Sequence, residues 1–122
     1  MVIFLDTYAI IEISTSNPDY RKYVLDSKDA ITTIFNLIET DFYYLKNLGK
    51  EEAGKAYNVV KTLVIPIDDS IIKEANAFKL ANLKKRFSFA DCVGYIAALK
   101  FNAKFLTGDY AFKGLENVEF VR

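Results

Sequence analysis

The 122-residue sequence contains no histidine. This absence excludes a histidine general base, a serine–histidine or cysteine–histidine nucleophile pair, and every metal site with imidazole ligands. If the chain binds a metal ion, hard oxygen ligands such as carboxylates remain to hold it.

Cysteine is almost as scarce, because Cys92 is the single one in the sequence. It cannot form an internal disulfide, and it falls on the apolar face of a predicted helix, so we expect a packed core thiol in a reducing compartment. No hydrophobic run is long enough to span a bilayer, and no basic segment followed by an apolar stretch opens the chain. We therefore expect a soluble, cytoplasmic protein.

The sequence also has no excess charge of either sign, because sixteen basic and sixteen acidic residues cancel. A neutral chain has no net field that attracts a polyanion, so contact with nucleic acid would need a local basic patch or a metal ion. The length and the 52% hydrophobic content predict a single folded domain over residues 1–122.

Short apolar runs alternate with helical periodicity along the chain. Continuous apolar runs predict buried strands at residues 2–5, 30–33, 63–65, 104–107 and 118–121. Apolar residues at steps of three and four predict helices at residues 8–13, 34–48, 50–62, 68–83 and 88–101. This alternation predicts an α/β protein whose parallel sheet is covered by helices on both faces.

Three aspartates lie at junctions where such a protein usually keeps its chemistry. Asp6 and Asp109 each follow a predicted strand, so both should emerge at the carboxyl edge of the sheet. Asp91 lies in the first turn of the helix at 88–101. Each also has an ordinary explanation: Asp6 as a helix N-cap, Asp109 as a turn residue, and Asp91 as the acid of a capping box that begins at Ser88. Their common location favours a shared site.

Glu39 is the fourth acid that does not resemble ordinary surface charge. It lies beside Phe35, Ile38 and Phe42 in the helix at 34–48, where we expect it to be partly desolvated and to need a cation, unless its side chain extends into solvent. Four crowded carboxylates would raise one another's pKa unless a divalent cation neutralised them.

With oxygen ligands alone, this cation would be Mg²⁺ or Mn²⁺. Such an ion suits phosphodiester cleavage, because it activates a water and stabilises the charge that builds on the phosphate. Thr7 and Thr107 stand beside Asp6 and Asp109, and their hydroxyls could orient a carboxylate or simply satisfy local backbone groups.

Four segments contain these acids: Leu5-Asp6-Thr7, Leu37-Ile38-Glu39, Ser88-Phe89-Ala90-Asp91 and Leu106-Thr107-Gly108-Asp109. Together, in this order and spacing, they make the whole chain similar to the PIN-domain nucleases, and most similar to the small VapC-type toxins of prokaryotic toxin–antitoxin pairs. The Ser-Phe-Ala-Asp segment is the most specific of the four.

The resemblance implies a three-layer α/β/α sandwich and a metal-dependent endoribonuclease. It implies a homodimer and a cognate antitoxin. It also implies that Mg²⁺ or Mn²⁺ is bound by a catalytic quartet of acids: Asp6, Glu39, Asp91 and Asp109. Tyr8, where many relatives carry a small polar residue, and Gly108, which leaves the last turn bare, depart from the pattern and bear on how a substrate is positioned.

Two groups of residues could contact RNA. The basic run Lys84, Lys85 and Arg86 precedes the helix of Asp91 and could guide an RNA backbone, although a solvated helix end explains it equally well. Four tyrosines could stack on unpaired bases or belong to the core or a dimer surface: Tyr8, Tyr43, Tyr44 and Tyr110.

Two other functions fit parts of this pattern. A PIN-type RNA-processing nuclease without an antitoxin would share every site residue, and an adjacent antitoxin gene would distinguish the two. A receiver-like phosphoacceptor module also gathers acids at strand ends. It normally has paired acids after the first strand and a lysine after a late strand, whereas Asp6 is single and Lys104 begins its strand.

Overall fold

The computed structural model of the protein describes residues 1–25 and 27–122. Its centre is a sheet of four strands: β1 (Ile3–Leu5), β2 (Ala30–Ile31), β3 (Lys104–Thr107) and β4 (Val118–Phe120). The strand order is β2-β1-β3-β4, and every neighbouring pair is parallel.

Five α-helices are present in the described residues: α1 (Thr7–Ser14), α2 (Ile34–Leu48), α3 (Lys50–Lys61), α4 (Asp69–Ala81) and α5 (Phe89–Lys100). Single turns of 3₁₀-helix are formed by Pro18–Tyr20, Leu83–Lys85 and Tyr110–Phe112. Within the described ranges, no helix combines the length and the apolar character that crossing a membrane requires.

The helices cover both faces of the sheet, because successive strand residues point to opposite sides. Phe4 and Phe105 pack into one core cluster with residues of α4 and α5. Leu5 and Leu106 pack into a second cluster with residues of α1, α2 and α3. The protein is therefore a three-layer α/β/α sandwich, as predicted, and the prediction of a buried Cys92 in α5 is also confirmed.

The two central strands end side by side. Leu5, the last residue of β1, is paired in register with Leu106 of β3. Asp6 follows β1 directly, and Asp109 comes two residues after Thr107, the last residue of β3. The prediction that both aspartates emerge at the same edge of the sheet is confirmed.

The predicted strand at 63–65 is wrong. Only a single parallel bridge between Thr32 and Val64 forms there, outside the four-stranded sheet. The amide of Ile65 donates to the carbonyl of Thr32 over 3.0 Å, but Pro66 has no amide hydrogen with which to extend the ladder. The apolar run instead reflects core packing, since Leu63 is buried in the cluster that also contains Leu5 and Val60.

The bounds of α2 agree with the sequence, but its buried face does not. The apolar residues at its helical spacing lie at the surface: Ile34, Phe35, Ile38, Phe42 and Leu45. The helix buries Asn36, Leu37, Thr40 and Tyr44 instead. The polar members of this set already have partners within the chain, for example Thr40 with the carbonyl of Asn36, so their burial costs little.

Some apolar residues of other helices also lie outside the core. Phe89 and Leu99 fall at the apolar spacing that indicates the buried face of α5, but both are exposed, as are Ile72 and Leu83 near α4. α5 is nevertheless the most buried helix, because every residue from Cys92 to Ala98 lies in the core. Small side chains rather than a single apolar stripe allow this helix to be packed nearly all round.

Substitution by alanine should change the free energy of unfolding in opposite directions at two helical glycines. A Cβ atom at Gly94 in α5 would lie 3.0 Å from the ring of Phe4, which is itself stacked on Phe105, so Gly94→Ala should destabilise the fold by about 1 kcal/mol. Gly54 in α3 has no atom within 4 Å of an added Cβ, so Gly54→Ala should stabilise it by about 0.5–1 kcal/mol. Urea unfolding of the two variants checks the pair, and a stabilising Gly94→Ala would contradict the packing argument.

Candidate acidic site at the carboxyl edge of the sheet

Asp6 is held in the gap between β1 and α1. Its carboxylate is the N-cap of α1, where Oδ1 accepts a hydrogen bond from the amide of Ala9 at 2.9 Å. Oδ2 accepts a second one from the Thr107 hydroxyl at 2.5 Å. Only 6% of the residue is exposed. The carboxylate is thus fixed from two sides at the point where the strands end.

The surroundings of Asp6 disfavour its charge. Burial raises the pKa of its carboxyl to about 7, although the hydrogen bonds from Thr107 and Ala9 work in the opposite direction. The negative charges of Asp91 and Asp109 make a smaller contribution to this rise in the pKa. Asp6 therefore stands near enough to both aspartates to be repelled by them, in a setting that would favour a neighbouring cation.

Asp91 is placed by the first turn of α5. The amide of Ser88 donates to its Oδ2 at 2.9 Å, and its own amide donates to the Ser88 hydroxyl at 3.0 Å, which completes a capping box. Burial raises the pKa of the Asp91 carboxyl, the charge of Asp109 adds to this effect, and Lys79 opposes it. The Ser-Phe-Ala-Asp segment therefore forms the start of α5 and also places the Asp91 carboxylate close enough to Asp6 and Asp109 to interact with their charges.

Asp109 is tied to Asp6 through a single hydroxyl. Its amide donates to Thr107 Oγ1 at 3.0 Å, and the same Oγ1 donates to Asp6. The Asp109 Oδ1 accepts a hydrogen bond from the amide of Ala111 at 3.0 Å and so caps the following turn. Thr107 thus fixes the loop after β3 relative to the carboxylate after β1.

Glu39 joins the site by a different route. The hydroxyl of Thr7 donates to its Oε1 at 2.5 Å, and Asn36 Nδ2 donates to Thr7 Oγ1 at 3.1 Å. The expectation that Glu39 is desolvated is wrong, because it lies on the exposed side of α2 with the apolar residues around it. Thr7 directly follows Asp6, so the hydrogen bond brings Glu39 to the residue next to the buried acid.

Asn36 is a site residue that the sequence analysis missed. It is buried, it forms a capping box with Thr33 at the start of α2, and it holds the hydroxyl of Thr7 toward Glu39. A polar residue three positions before Glu39 was the available signal. It could be interpreted only once the buried face of α2 was known.

The structure therefore brings Asp6, Asp91 and Asp109 within electrostatic reach of one another and links Glu39 through Thr7. Among the described residues, no three acidic or cysteine side chains already form a group that could hold a metal ion. The donor chemistry nevertheless suits Mg²⁺, which usually keeps several waters and takes only one or two carboxylates. None of the ion pairs in the described chain involves these four acids.

The predicted basic run lies apart from this network. Lys84, Lys85 and Arg86 are exposed on and just after a 3₁₀ turn, and none of them forms an ion pair within the described chain. Lys79 is the cation whose field reaches Asp91. Its ammonium group donates to the carbonyl of Phe87 and lies 4.8 Å from the ring centre of Phe89.

Tyr8 and Gly108, the two departures from the PIN-domain pattern, are packed against each other. A Cβ atom at Gly108 would lie 2.2 Å from Cε1 of Tyr8 and 2.6 Å from the carbonyl oxygen of Val121. The bare turn before Asp109 is therefore what leaves room for the Tyr8 ring. Of the other candidate tyrosines, Tyr44 is buried and Tyr110 is 60% exposed.

The pH dependence of stability should reveal the buried carboxyl in metal-free protein. Folded Asp6 keeps its proton up to about pH 7, whereas the unfolded chain releases it near 3.8, so this group makes folding less favourable as the pH rises between these values. The stability of wild type relative to Asp6→Asn should fall by up to about 1.4 kcal/mol per pH unit in that window. Urea unfolding in EDTA measures both proteins, and parallel pH curves would contradict the burial of a protonated Asp6.

Substitution of Gly108 should expose its coupling to Tyr8. Gly108→Ala should cost about 1–3 kcal/mol of unfolding free energy, because the new methyl group overlaps the Tyr8 ring and the carbonyl of Val121. The double variant with Tyr8→Ser should recover part of this cost relative to Tyr8→Ser alone, because only the clash with the carbonyl remains. Strictly additive effects in the double-mutant cycle would show that the two residues do not compete for space.

Comparison with known proteins identifies solved structures that share this fold. No protein-family model matches the chain, and no curated protein matches it in sequence. Solved structures do. A toxin–antitoxin complex from Klebsiella pneumoniae superposes with a TM-score of 0.74 at 13% identity, with 96% of this chain and 95% of that chain covered.

Two further structures cover nearly all of the chain. VapC20 of Mycobacterium tuberculosis, a toxin that cleaves the sarcin–ricin loop, gives a TM-score of 0.71 at 17% identity over 96% of this chain and 98% of its own. VapBC2 of Rickettsia felis, bound to a DNA fragment from its promoter, gives 0.75 at 17% identity over 100% of both chains. At these identities the comparison establishes the fold: the chain has the three-layer architecture seen in VapC-type toxin structures.

Proposed function

We propose that the chain is a Mg²⁺- or Mn²⁺-dependent endoribonuclease that hydrolyses RNA phosphodiester bonds, and that it is the toxin of a VapBC-type toxin–antitoxin pair. The observation that carries the proposal is the buried Asp6, repelled by Asp91 and Asp109, at the carboxyl edge of the sheet. The chain that carries this cluster has the same fold as VapC20, a toxin that cleaves the sarcin–ricin loop.

In this proposal the four acids form the catalytic and metal-binding set: Asp6, Glu39, Asp91 and Asp109. Asp6 retains acceptor capacity, because each of its oxygens accepts a single hydrogen bond and has a second lone pair. Asp91 Oδ1 and Asp109 Oδ2 accept no hydrogen bond from the described part of the protein. These oxygens are available to a cation that relieves the repulsion.

The hydroxyls of Thr7 and Thr107 act as positioning groups. Thr107 holds Asp6 and the loop of Asp109 together, and Thr7 holds Glu39 toward them. When bound, the metal ion supplies an activated water and stabilises the charge that develops on the phosphate. The protein keeps its carboxylates in fixed directions, which spares the site much of the cost of ordering them during the reaction.

A protein partner is also part of the proposal. The similar solved structures include toxin–antitoxin complexes, and α2 exposes six apolar side chains, a feature typical of surfaces that another protein covers. We therefore propose a cognate antitoxin and a homodimer, both in the cytoplasm. A single domain is proposed for residues 1–122.

The structure supports the two alternative functions to different degrees. A PIN-type processing nuclease without an antitoxin would use the same acids. The receiver-like module has less support, because Lys104 begins β3 and therefore lies at the end of that strand opposite Asp109. No second acid stands beside Asp6 in the sequence.

The catalytic role of Asp91 can be tested with little risk to the fold. Asp91→Asn keeps an oxygen that can accept from the Ser88 amide, so the helix start survives, while the negative charge is lost. Cleavage of total RNA in Mg²⁺ or Mn²⁺ should fall by more than about 100-fold. EDTA should stop cleavage by the wild type.

Asp69→Asn is the matched control. Asp69 is also an aspartate in the first turn of a helix, but it is exposed at the start of α4. That variant should cleave RNA like the wild type. Metal-independent cleavage, or full activity of a folded Asp91→Asn variant, would refute the proposal.

A further inference from the structure

The side chain of Arg122 lies beside the loop of the acidic site. After β4, the side chain of Arg122 reaches back to the loop that carries Asp109. Its Nη1 donates to the carbonyl of Gly108 at 2.6 Å. Because Gly108 directly precedes Asp109, this hydrogen bond fixes the guanidinium next to one of the proposed catalytic acids.

Aromatic rings surround this guanidinium. Its central carbon lies 4.4 Å from the ring centre of Tyr110 and 5.5 Å from that of Tyr8. The Tyr110 ring also lies 5.4 Å from the ring of Phe120, and the ammonium group of Lys113 lies 5.2 Å from the Phe120 ring centre. We call Tyr110, Lys113, Phe120 and Arg122 the aromatic–basic edge.

The two cations of this edge, Arg122 and Lys113, have no ion-pair partner among the residues that the structure describes. A guanidinium has five N–H donors, and the bond to Gly108 uses one of them. The protein has no net charge, so two unpaired cations beside exposed aromatic surface make a local patch that differs from the chain as a whole.

We infer that the aromatic–basic edge binds the single-stranded RNA that the proposed nuclease cleaves, with Arg122 on a backbone phosphate and Tyr110 beside an unpaired base. Phosphates prefer the planar donors of arginine, and unpaired bases stack on tyrosine rings or guanidinium planes. The inference rests on the proposed function for the identity of the ligand, but its evidence lies outside the four acids.

The geometry favours this edge over the basic run at Lys84, Lys85 and Arg86. Those side chains lie on and just after a short exposed turn, and in the described structure none of them forms an ion pair with the acids of the site. Arg122 is instead held by a hydrogen bond and by two rings, so less conformational entropy is lost when it binds a phosphate. A strand bound there would pass directly beside Asp109.

Binding of RNA without cleavage tests the inference. The probe is a fluorescein-labelled oligouridylate of about ten nucleotides in EDTA, measured by anisotropy over a range of salt concentrations. Arg122→Gln should weaken binding by roughly three- to tenfold and should lower the slope of log K against log salt by about 0.7, the value expected for one lost phosphate contact. Arg122→Lys should retain most of the slope.

Arg21→Gln is the matched control, because Arg21 is exposed beyond the C-terminal end of α1, whereas Asp6 caps the N-terminal end. It should bind like the wild type. If Arg122→Gln does not fold, Lys113→Gln serves instead, since Lys113 lies over the rings of Tyr110 and Phe120 in the same edge and should also lower the salt slope.

The results separate this inference from the proposed function. Metal-dependent cleavage by the wild type, with unchanged RNA binding by folded Arg122→Gln, would overturn the inference and leave the nuclease proposal standing. Binding that depends on Arg122 in a protein that cleaves no RNA would support the edge and refute the nuclease. A wild-type protein that does not bind the oligonucleotide even at about 50 mM salt would overturn the inference.

Discussion

The structure depends on a carboxyl group that the fold buries without an ion-pair partner in the described part of the chain. Asp6 begins α1, receives the Thr107 hydroxyl, and faces the fields of two further aspartates. Its burial follows from β1 lying between β2 and β3, since a residue that leaves a central strand is enclosed by its neighbours. The cost of burying this group without a cation is the physical reason to regard the edge as a binding site and not only as a set of helix caps.

Each of the three aspartates has a structural role beside its proposed chemical one. Asp6 and Asp109 are the N-caps of α1 and of a 3₁₀ turn, and Asp91 completes the capping box of Ser88 at the start of α5, so hydrogen bonds fix the direction of each carboxylate. The structural role is therefore compatible with the proposed chemical one. Local hydrogen bonds supply the rigidity that a preorganised site needs, and parallel strands supply the proximity.

Features of the fold that depend on short-range interactions are predictable from the sequence, and those that depend on distant partners are not. Helix bounds and the edge shared by Asp6 and Asp109 follow from periodicity and from the parallel connection rule, which act locally or through topology. The face of α2 did not follow, because Leu37 and Tyr44 are buried by packing against distant elements while Phe42 is left outside. The short bridge at Val64 and the return of Arg122 to Gly108 are likewise decided by partners far away in sequence.

The burial of α5 divides the site into a fixed side and an adjustable side. Asp91 stands on a helix whose residues from Cys92 to Ala98 are enclosed by the core, so its backbone can move only if the centre of the protein opens. Glu39 lies on the exposed side of α2 and is held by the hydroxyl of Thr7, so its side chain can change rotamer at the cost of one hydrogen bond. If the proposed metal ion binds, we expect Glu39 to adjust its position while Asp91 keeps its own.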